Sequence, residues 1–251
     1  MSPAFQQKLL YVALASCFSA GAGANPTGPA VVAGSASFQQ SGNALTIANS
    51  PGAIINWQGF SIGAGETTKF IQQSASSAVL NRVTGAETSM ILGALQSNGR
   101  VFLINPNGIL VGQTGRIDVA GLVASTLDIT NADFLAGKMN FASGTLAAGS
   151  IQNQGAITTP TGGSVILIAP QIENSGLITA PDGNVILAAG RSVRLGDTGA
   201  PNVLVEIQAP DTSAVNLGSI TVNAGTAGIY GGLIQQKGIV TANSVTTNAA
   251  G

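Results

Sequence analysis

The sequence predicts a parallel β-helix, a solenoid in which every turn of the chain adds short strands to stacked sheets. Two observations carry this prediction. Short runs of Val, Ile and Leu are each stopped by Gly, Asn, Pro or Thr, which is typical of brief strands joined by turns. A unit of the form Asn-x-Gly-x-Ile-Thr also recurs at intervals of about 20 residues, and a fixed period of that length made of β segments indicates a solenoid.

The unit occurs in complete and in weaker copies. The complete copies begin at Asn153, Asn174 and Asn216. The weaker copies contain Gly115, Gly196 and Gly238. Gly115 precedes the first complete copy by two intervals, which predicts two coils over that distance. Further coil strands are predicted at 165–168, 185–187 and 203–205. Helical repeats are excluded because no 3.6-residue period survives the Gly and Pro spacing.

The repeat also predicts what its polar residues do. Asn153, Asn174 and Asn216 fall at equivalent corners of the coils, where their amides can form a ladder and pair with the backbone of the turn. We expect the glycines beside them to supply backbone angles that other residues resist. These asparagines are therefore predicted to be structural and not ligand-binding.

Composition excludes several functions. Charged residues make up 8% of the 251 residues, against about 25% in an average globular protein. The net charge is −1 and the nine basic residues are scattered, so no nucleic acid partner is expected. The chain has no His, which removes the commonest general base and metal ligand.

No catalytic, cofactor-binding or metal-binding residue is assigned. Many β-helices are polysaccharide lyases or hydrolases, and these need clustered carboxylates. The ten acidic residues here are dispersed, and the nearest pair, Asp128 and Asp133, has no accompanying row of Lys or Arg. We therefore expect a protein that is not an enzyme and has no cofactor.

The first 24 residues have the pattern of an export signal. Lys8 precedes a short apolar run, and Ala22-Gly23-Ala24 matches a small-x-small cleavage site, which places the mature start at Asn25. An alternative stays open, because 14–17 has the form of a lipoprotein cleavage box that would leave a lipid on Cys17, the only cysteine. A retained leader is the third possibility. In each case the chain leaves the cytoplasm.

The remaining chain divides into two parts. Residues 25–73 are less regular and are predicted to be an N-terminal β cap with the first strands, with Trp57 as a core anchor. Residues 74–251 are predicted to be the β-helix, and they show no C-terminal cap. A solenoid needs both ends covered, so we expect the β-helix to continue into a longer exoprotein.

The most distinctive stretch is 101–111, in which two apolar runs flank Asn105-Pro106-Asn107-Gly108. Pro106 fixes φ and Gly108 accepts positive φ, so the four residues predict a stiff corner between two buried strands. This corner is open to two interpretations. It either shapes the chain alone or also contacts a partner.

Several segments together carry a family resemblance. They are Ala53-Ile-Ile-Asn-Trp57, Leu80-Asn-Arg-Val-Thr84, the run 95–109 and Gly121-Leu-Val-Ala-Ser-Thr126-Leu-Asp-Ile129. They resemble the secretion domain of two-partner secretion exoproteins, the filamentous-haemagglutinin-like haemagglutination activity domain, and most closely its high-molecular-weight adhesin branch.

The resemblance implies a right-handed β-helix with an N-terminal cap, and export by the Sec translocon. It also implies recognition in the periplasm by an outer-membrane β-barrel transporter with POTRA domains, followed by release to the cell surface or medium. In the family, the Asn-Pro-Asn-Gly motif is needed for secretion, which carries over to Asn105, Pro106, Asn107 and Gly108. A second family motif, Asn-Pro-Asn-Leu, is absent; Asn81-Arg-Val-Thr84 stands in its neighbourhood, so Asn81 is a further candidate for transporter recognition.

The function expected first is that of a secretion domain that nucleates folding of a long adhesin-type exoprotein outside the cell. The alternative is that the segment itself is an adhesin for host glycan or protein. Aromatic residues make up only 4% of the chain, so few are available to form a stacking surface for sugars. Secretion is therefore favoured over adhesion.

Overall fold

A computed structural model describes residues 25–143, 148–197, 201–206 and 212–243. The predicted export leader, its cleavage site and Cys17 lie outside the described residues, as do 244–251. Within the described ranges, no helix is long and apolar enough to cross a membrane.

The described chain is built almost wholly of strands. They are β1 Ala30–Ala33, β2 Ala36–Ser41, β3 Ala44–Asn49, β4 Ala53–Trp57, β5 Thr67–Ile71, β6 Ala78–Val83, β7 Ser89–Ile91, β8 Ala94–Ile104, β9 Ile109–Val111 and β10 Arg116–Ser125, then helix α1 Asn131–Leu135, then β11 Met139–Ala142, β12 Ser150–Asn153, β13 Ala156–Thr158, β14 Ser164–Ala169, β15 Gln171–Asn174, β16 Leu177–Thr179, β17 Asn184–Ala189, β18 Ser192–Asp197, β19 Pro201–Glu206, β20 Ser213–Asn216, β21 Ser219–Thr221, β22 Thr226–Tyr230, β23 Leu233–Gln236 and β24 Ile239–Thr241.

These strands wind into a right-handed parallel β-helix, which confirms the predicted fold class. Three stacked faces follow one another in each coil. Face 1 consists of β3, β5, the first half of β8, the first half of β10, β13, β16, β21 and β24. Face 2 consists of β4, β6, the second halves of β8 and β10, β14, β17 and β22. Face 3 consists of β7, β9, β12, β15, β20 and β23.

Like residues stack on like residues inside the coils. Ile157, Ile178 and Ile220 form one buried column on face 1, since each is paired in register with the next. Each such side chain leaves water completely, which is worth about 25 cal/mol per Å² of apolar surface. The short Val, Ile and Leu runs of the sequence are therefore strands because their side chains complete these columns.

The N-terminal end of the β-helix is covered by two antiparallel strands. β1 pairs with β4, and β2 pairs with β3 through a tight turn in which Gly42 has a φ of +54°. The Phe38 ring lies edge-on to Trp57 with 5.7 Å between ring centroids. The Trp57 side chain is buried beneath the cap, in the anchoring position that the sequence suggests.

Two predictions drawn from the repeat period are wrong. Arg116 pairs directly with Ala156, so one coil and not two separates Gly115 from Gly155. Gly196 and residues 203–205 are not in coils at all, because β18 and β19 form an antiparallel hairpin outside the β-helix. The physical reason is the same in both cases. A coil tolerates an insertion at its corner, and an insertion of about 20 residues cannot be told from a coil by its length.

The first insertion lies between β10 and β12 and contains α1 and β11, and the second lies between β17 and β20 and contains β18 and β19. The two insertions pack together on the outer side of face 2. β11 from the first insertion pairs antiparallel with β18 from the second. They bury a second apolar cluster, in which Phe102 and Phe134 make an edge-to-face contact with 5.1 Å between centroids. Strands such as β14 are therefore buried on both sides, which explains why their sequences are continuous apolar runs instead of alternating ones.

The corner glycines serve close packing and not unusual backbone angles, which corrects the reason given for them above. Gly155, Gly176, Gly218 and Gly238 are absent from the residues with positive φ. A Cβ on Gly176 would overlap the carbonyl oxygen of Gly155, and the same overlap recurs at each step along this column. The repeat keeps glycine because the backbones of successive coils touch there.

Candidate functional site

Asn105-Pro106-Asn107-Gly108 forms the corner between face 2 and face 3. The Gly108 amide donates to the Asn105 carbonyl at 3.1 Å, which closes a β-turn, and Gly108 has a φ of +116°. The predicted corner is therefore present with Pro and Gly in the positions that the turn requires.

The Asn105 side chain joins two coils. It is fully buried, and its Nδ2 donates to the Glu87 carbonyl and to Ser89 Oγ, each at 2.9 Å. Its Oδ1 accepts from the Asn107 backbone amide at 2.9 Å and from Asn107 Nδ2 at 3.1 Å. Four hydrogen bonds satisfy this amide, so Asn105 links the turn to residues 85–89 of the preceding coil.

The other residues of the motif hold the same loop and leave part of their surface open. Asn107 Nδ2 donates to the Gly85 carbonyl at 2.8 Å, and Thr88 Oγ1 donates to the Asn107 carbonyl at 3.0 Å. The Pro106 carbonyl accepts from the Gly149 amide at 2.7 Å. Pro106 and Asn107 are half-buried, so they are the two members of the motif that a partner could touch.

Asn81 lies in β6, in the coil before this corner. Its side chain is fully buried, accepts from Trp57 Nε1 at 3.0 Å and donates to the Phe102 carbonyl at 3.2 Å. Asn81 therefore links three successive coils of face 2 and presents no surface to a partner. The structure thus brings the Asn81 segment and the Asn105 corner together on neighbouring coils.

Arg82 is a residue of this region that the sequence reasoning passed over. Its guanidinium donates to Asp128 Oδ1 at 2.9 Å, to Asn131 Oδ1 at 2.8 Å and to the Ile129 carbonyl at 2.5 Å. It fastens the first insertion to the β-helix. The sequence could have indicated this role, because Arg82 is a cation within a predicted strand of a chain that has very few charged residues. A charge in such a position is expected to have a specific partner.

The predicted asparagine ladder lies at a different corner, where face 3 ends. Asn153 Nδ2 donates to Asn174 Oδ1 at 2.7 Å, and Asn174 Nδ2 donates to Asn216 Oδ1 at 2.7 Å. Asn216 Nδ2 then donates to Gln236 Oε1 at 3.0 Å. All three asparagines are fully buried, and each rung supplies the partner that the next one needs.

We expect Asn174→Ala to lower the free energy of unfolding by about 2–4 kcal/mol, because it leaves the Asn153 amide nitrogen and the Asn216 oxygen buried without partners. Urea denaturation of the purified domain measures the change. The matched control is Gln171→Ala, an exposed residue of the same strand, with an expected loss below about 0.5 kcal/mol. Equal losses for the two variants would contradict the role of the ladder.

The buried polar side chains of these corners form hydrogen bonds within the fold. Within the described ranges, no group of three or more His, Cys, Asp or Glu residues could hold a metal ion. Asp128, one of the two acidic residues considered above, accepts from Arg82 and is half exposed on the surface. The fold and the site define a class of protein: a capped β-solenoid domain whose corners are built from buried amides.

Comparison with known proteins narrows this class. The family described as "TPS secretion domain" matches residues 22–250. The structure is similar to the HMW1 secretion domain from Haemophilus influenzae, with a TM-score of 0.83 and 40% identity, covering 88% of this chain and 60% of that one. A heme/hemopexin-binding protein of Haemophilus influenzae is 44% identical over 105 residues, which are 41% of this chain and 12% of the relative.

A second Haemophilus influenzae heme/hemopexin-binding protein is 44% identical over 77 residues, covering 31% of this chain and 8% of the relative. The chain thus spans a small part of the length of these relatives. It belongs to the TPS secretion domain family, and the predicted two-partner secretion resemblance is confirmed. Exoproteins of this family are secreted across the outer membrane with a cognate transporter, and the family is not one of enzymes.

Proposed function

We propose that this domain engages the POTRA domains of its transporter in the periplasm, after Sec export, and then serves as the template on which the rest of an exoprotein folds outside the cell. The observation that supports templating is an asymmetry between the first coil and the last described coil of the β-helix. The N-terminal end is covered by β1 and β2, whereas the last described coil carries exposed apolar side chains.

Folding from one end follows from this asymmetry. Ile234 and Val240 in the last described coil continue buried columns of the interior, yet they are 48% and 40% exposed. A coil added next to them gains buried area and hydrogen bonds at once, whereas the first coils of a solenoid have no neighbour to pack against. The domain therefore lowers the barrier to folding for any β-helical sequence that follows it.

Two surfaces are proposed to meet the transporter. One is the corner patch, formed by Pro106 and Asn107 with the exposed Thr84, Glu87 and Thr88. The other is the free edge of β2, which pairs only with β3 among the described strands. Natural edge strands usually carry charges that prevent pairing, yet residues 25–65 contain none. An uncharged free edge suits strand addition by a POTRA domain.

A reporter assay tests this proposal. Residues 1–251 are fused to a reporter and expressed with and without the cognate transporter. We expect reporter in the medium only when the transporter is present. Charging the edge with Gln39→Lys and Ser41→Lys should reduce secretion about tenfold without changing stability, whereas Gln96→Lys on exposed face 1 should have no effect.

Two outcomes would overturn parts of the proposal. Release of the reporter without any transporter would remove the secretion function. Normal secretion of the charged-edge variant would remove strand addition at β2 and leave the corner patch as the contact surface.

The whole exoprotein has a second proposed function. Relatives named heme/hemopexin-binding proteins favour heme or hemopexin as the ligand of the full-length protein. Adhesion to host glycan or protein by this domain itself is the remaining alternative. Binding of purified residues 25–251 to hemopexin, or to host cells, separates a ligand-binding domain from one that only directs secretion.

A further inference from the structure

The two insertions make contacts between coils that are not neighbours in the stack. Numbered by their face 2 strands, coil 1 contains β4, coil 2 contains β6, coils 3 and 4 contain the second halves of β8 and β10, and coils 5, 6 and 7 contain β14, β17 and β22. Inside the stack, each of these strands pairs with the strand of the coil before or after it, which is the usual arrangement of a solenoid. The contacts of the insertions depart from this arrangement.

The first insertion leaves coil 4 and is held by coil 2. The Arg82 guanidinium of coil 2 donates to Asp128 Oδ1 and Asn131 Oδ1, and it also donates to the carbonyl oxygen of Ile129. The Arg82 side chain is 16% exposed, so its neighbours shield these hydrogen bonds from water. Hydrogen bonds from one charged group therefore join coil 2 to the insertion of coil 4, past the intervening coil 3.

The second insertion leaves coil 6 and is held by the first. β18 pairs with every residue of β11 from Met139 to Ala142. Just beyond β11, the backbone amide and Oγ of Ser143 donate to the Arg191 carbonyl oxygen at 3.0 and 3.1 Å. The insertion of coil 4 is thereby joined to the insertion of coil 6, past the intervening coil 5.

Both insertions close over one apolar cluster that spans the stack. Its members on the coils extend from Ile54 in coil 1 to Ile186 in coil 6. Its members on the insertions are Leu127, Ile129, Phe134, Phe141 and Val193. Phe141 and Val193 lie opposite each other in the pairing of β11 with β18, and each is 1% exposed. If coil 6 opened and carried β18 away, the Phe141 side chain would lose this cover and enter water, which opposes the opening.

We propose that the two insertions form a brace that couples coils 2 to 6 into one cooperative unit, so that unfolding from the open end stops after coil 7. A solenoid with contacts between neighbours alone opens coil by coil. In this protein the opening of coil 6 also breaks the pairing of β11 with β18, and the opening of coil 4 also breaks the hydrogen bonds of Arg82. The braced coils therefore open together.

Hydrogen–deuterium exchange of the purified folded domain, read by mass spectrometry of its peptides, tests the brace. We expect the face 2 amides of coils 2–6 to exchange with one common opening constant, and those of coil 7 to exchange at least tenfold faster. Ile157→Val, in the face 1 strand that leads into coil 5, removes one buried methylene group. It should speed exchange about fivefold in all of coils 2–6, because a cooperative unit shares the loss.

Arg82→Gln tests the link between coils 2 and 4. Without this link, coils 4–6 can open while coils 2 and 3 stay closed, so the amides of coils 4–6 should exchange about tenfold faster than those of coils 2 and 3. Arg116→Gln removes an exposed cation from face 1. It is the matched control and should leave the exchange pattern unchanged. If Arg82 had only a local role, its loss would speed exchange within 126–142 alone.

Three results would overturn the brace. The first is exchange in the unaltered domain that becomes faster coil by coil toward the open end. The second is an effect of Ile157→Val confined to the coils beside it, and the third is an effect of Arg82→Gln confined to 126–142. Each readout is independent of the transporter, so the brace and the proposed secretion function are tested separately.

Discussion

Replacing Gly176 by Ala is expected to lower the free energy of unfolding by about 3 kcal/mol or more. The added Cβ would overlap the Gly155 carbonyl oxygen and also contact the backbone of Gln154. No rotamer can relieve an overlap between a Cβ and a neighbouring backbone, so the two coils must separate and lose their hydrogen bonds. Urea denaturation of the purified domain measures the effect.

The control is a glycine that the coils do not press against. Gly65 has a φ of +78° and nothing within 4 Å of an added Cβ. Gly65→Asn should therefore cost about 1 kcal/mol or less, since Asn tolerates a left-handed backbone. A Gly176→Ala variant as stable as Gly65→Asn would show that close coil contact is not the reason for the repeat glycine.

Asn105→Ala is expected to lower the free energy of unfolding by about 3–5 kcal/mol and to abolish secretion as a consequence. The substitution leaves the Asn107 amide, the Glu87 carbonyl and Ser89 Oγ without their partner at a buried corner. Each buried polar group left unpaired costs about 1–3 kcal/mol. Denaturation of the purified domain and the transporter-dependent reporter assay are measured side by side.

An exposed asparagine provides the comparison. Asn43 lies in the turn between β2 and β3, and Asn43→Ala should change stability by less than about 0.5 kcal/mol and leave secretion intact. If Asn105→Ala folded with normal stability yet stayed in the periplasm, the motif would be a recognition element and the structural role would be wrong.

The part of the candidate site that depends on local turn chemistry could be predicted from the sequence. Pro106 and Gly108 specify a turn by their own backbone preferences, so the corner could be placed without knowing its surroundings. The partners of Asn105 could not be predicted, because Glu87 and Ser89 lie in the preceding coil. The hydrogen bonds from Arg82 to the first insertion could not be predicted for the same reason, since Asp128 and Asn131 are remote from Arg82 in the chain.

The sequence by itself determined the winding of this protein. Strand columns repeat in register, and the strands of each coil pair with those of its neighbours, so a short period in the residues translates directly into a stacked fold. Only the tertiary structure decided the number of coils between Gly115 and Gly155, the hairpin that contains Gly196, and the pairing of β11 with β18. Insertions leave the coil at a corner and pack against residues that are distant in the chain, and no local pattern records that contact.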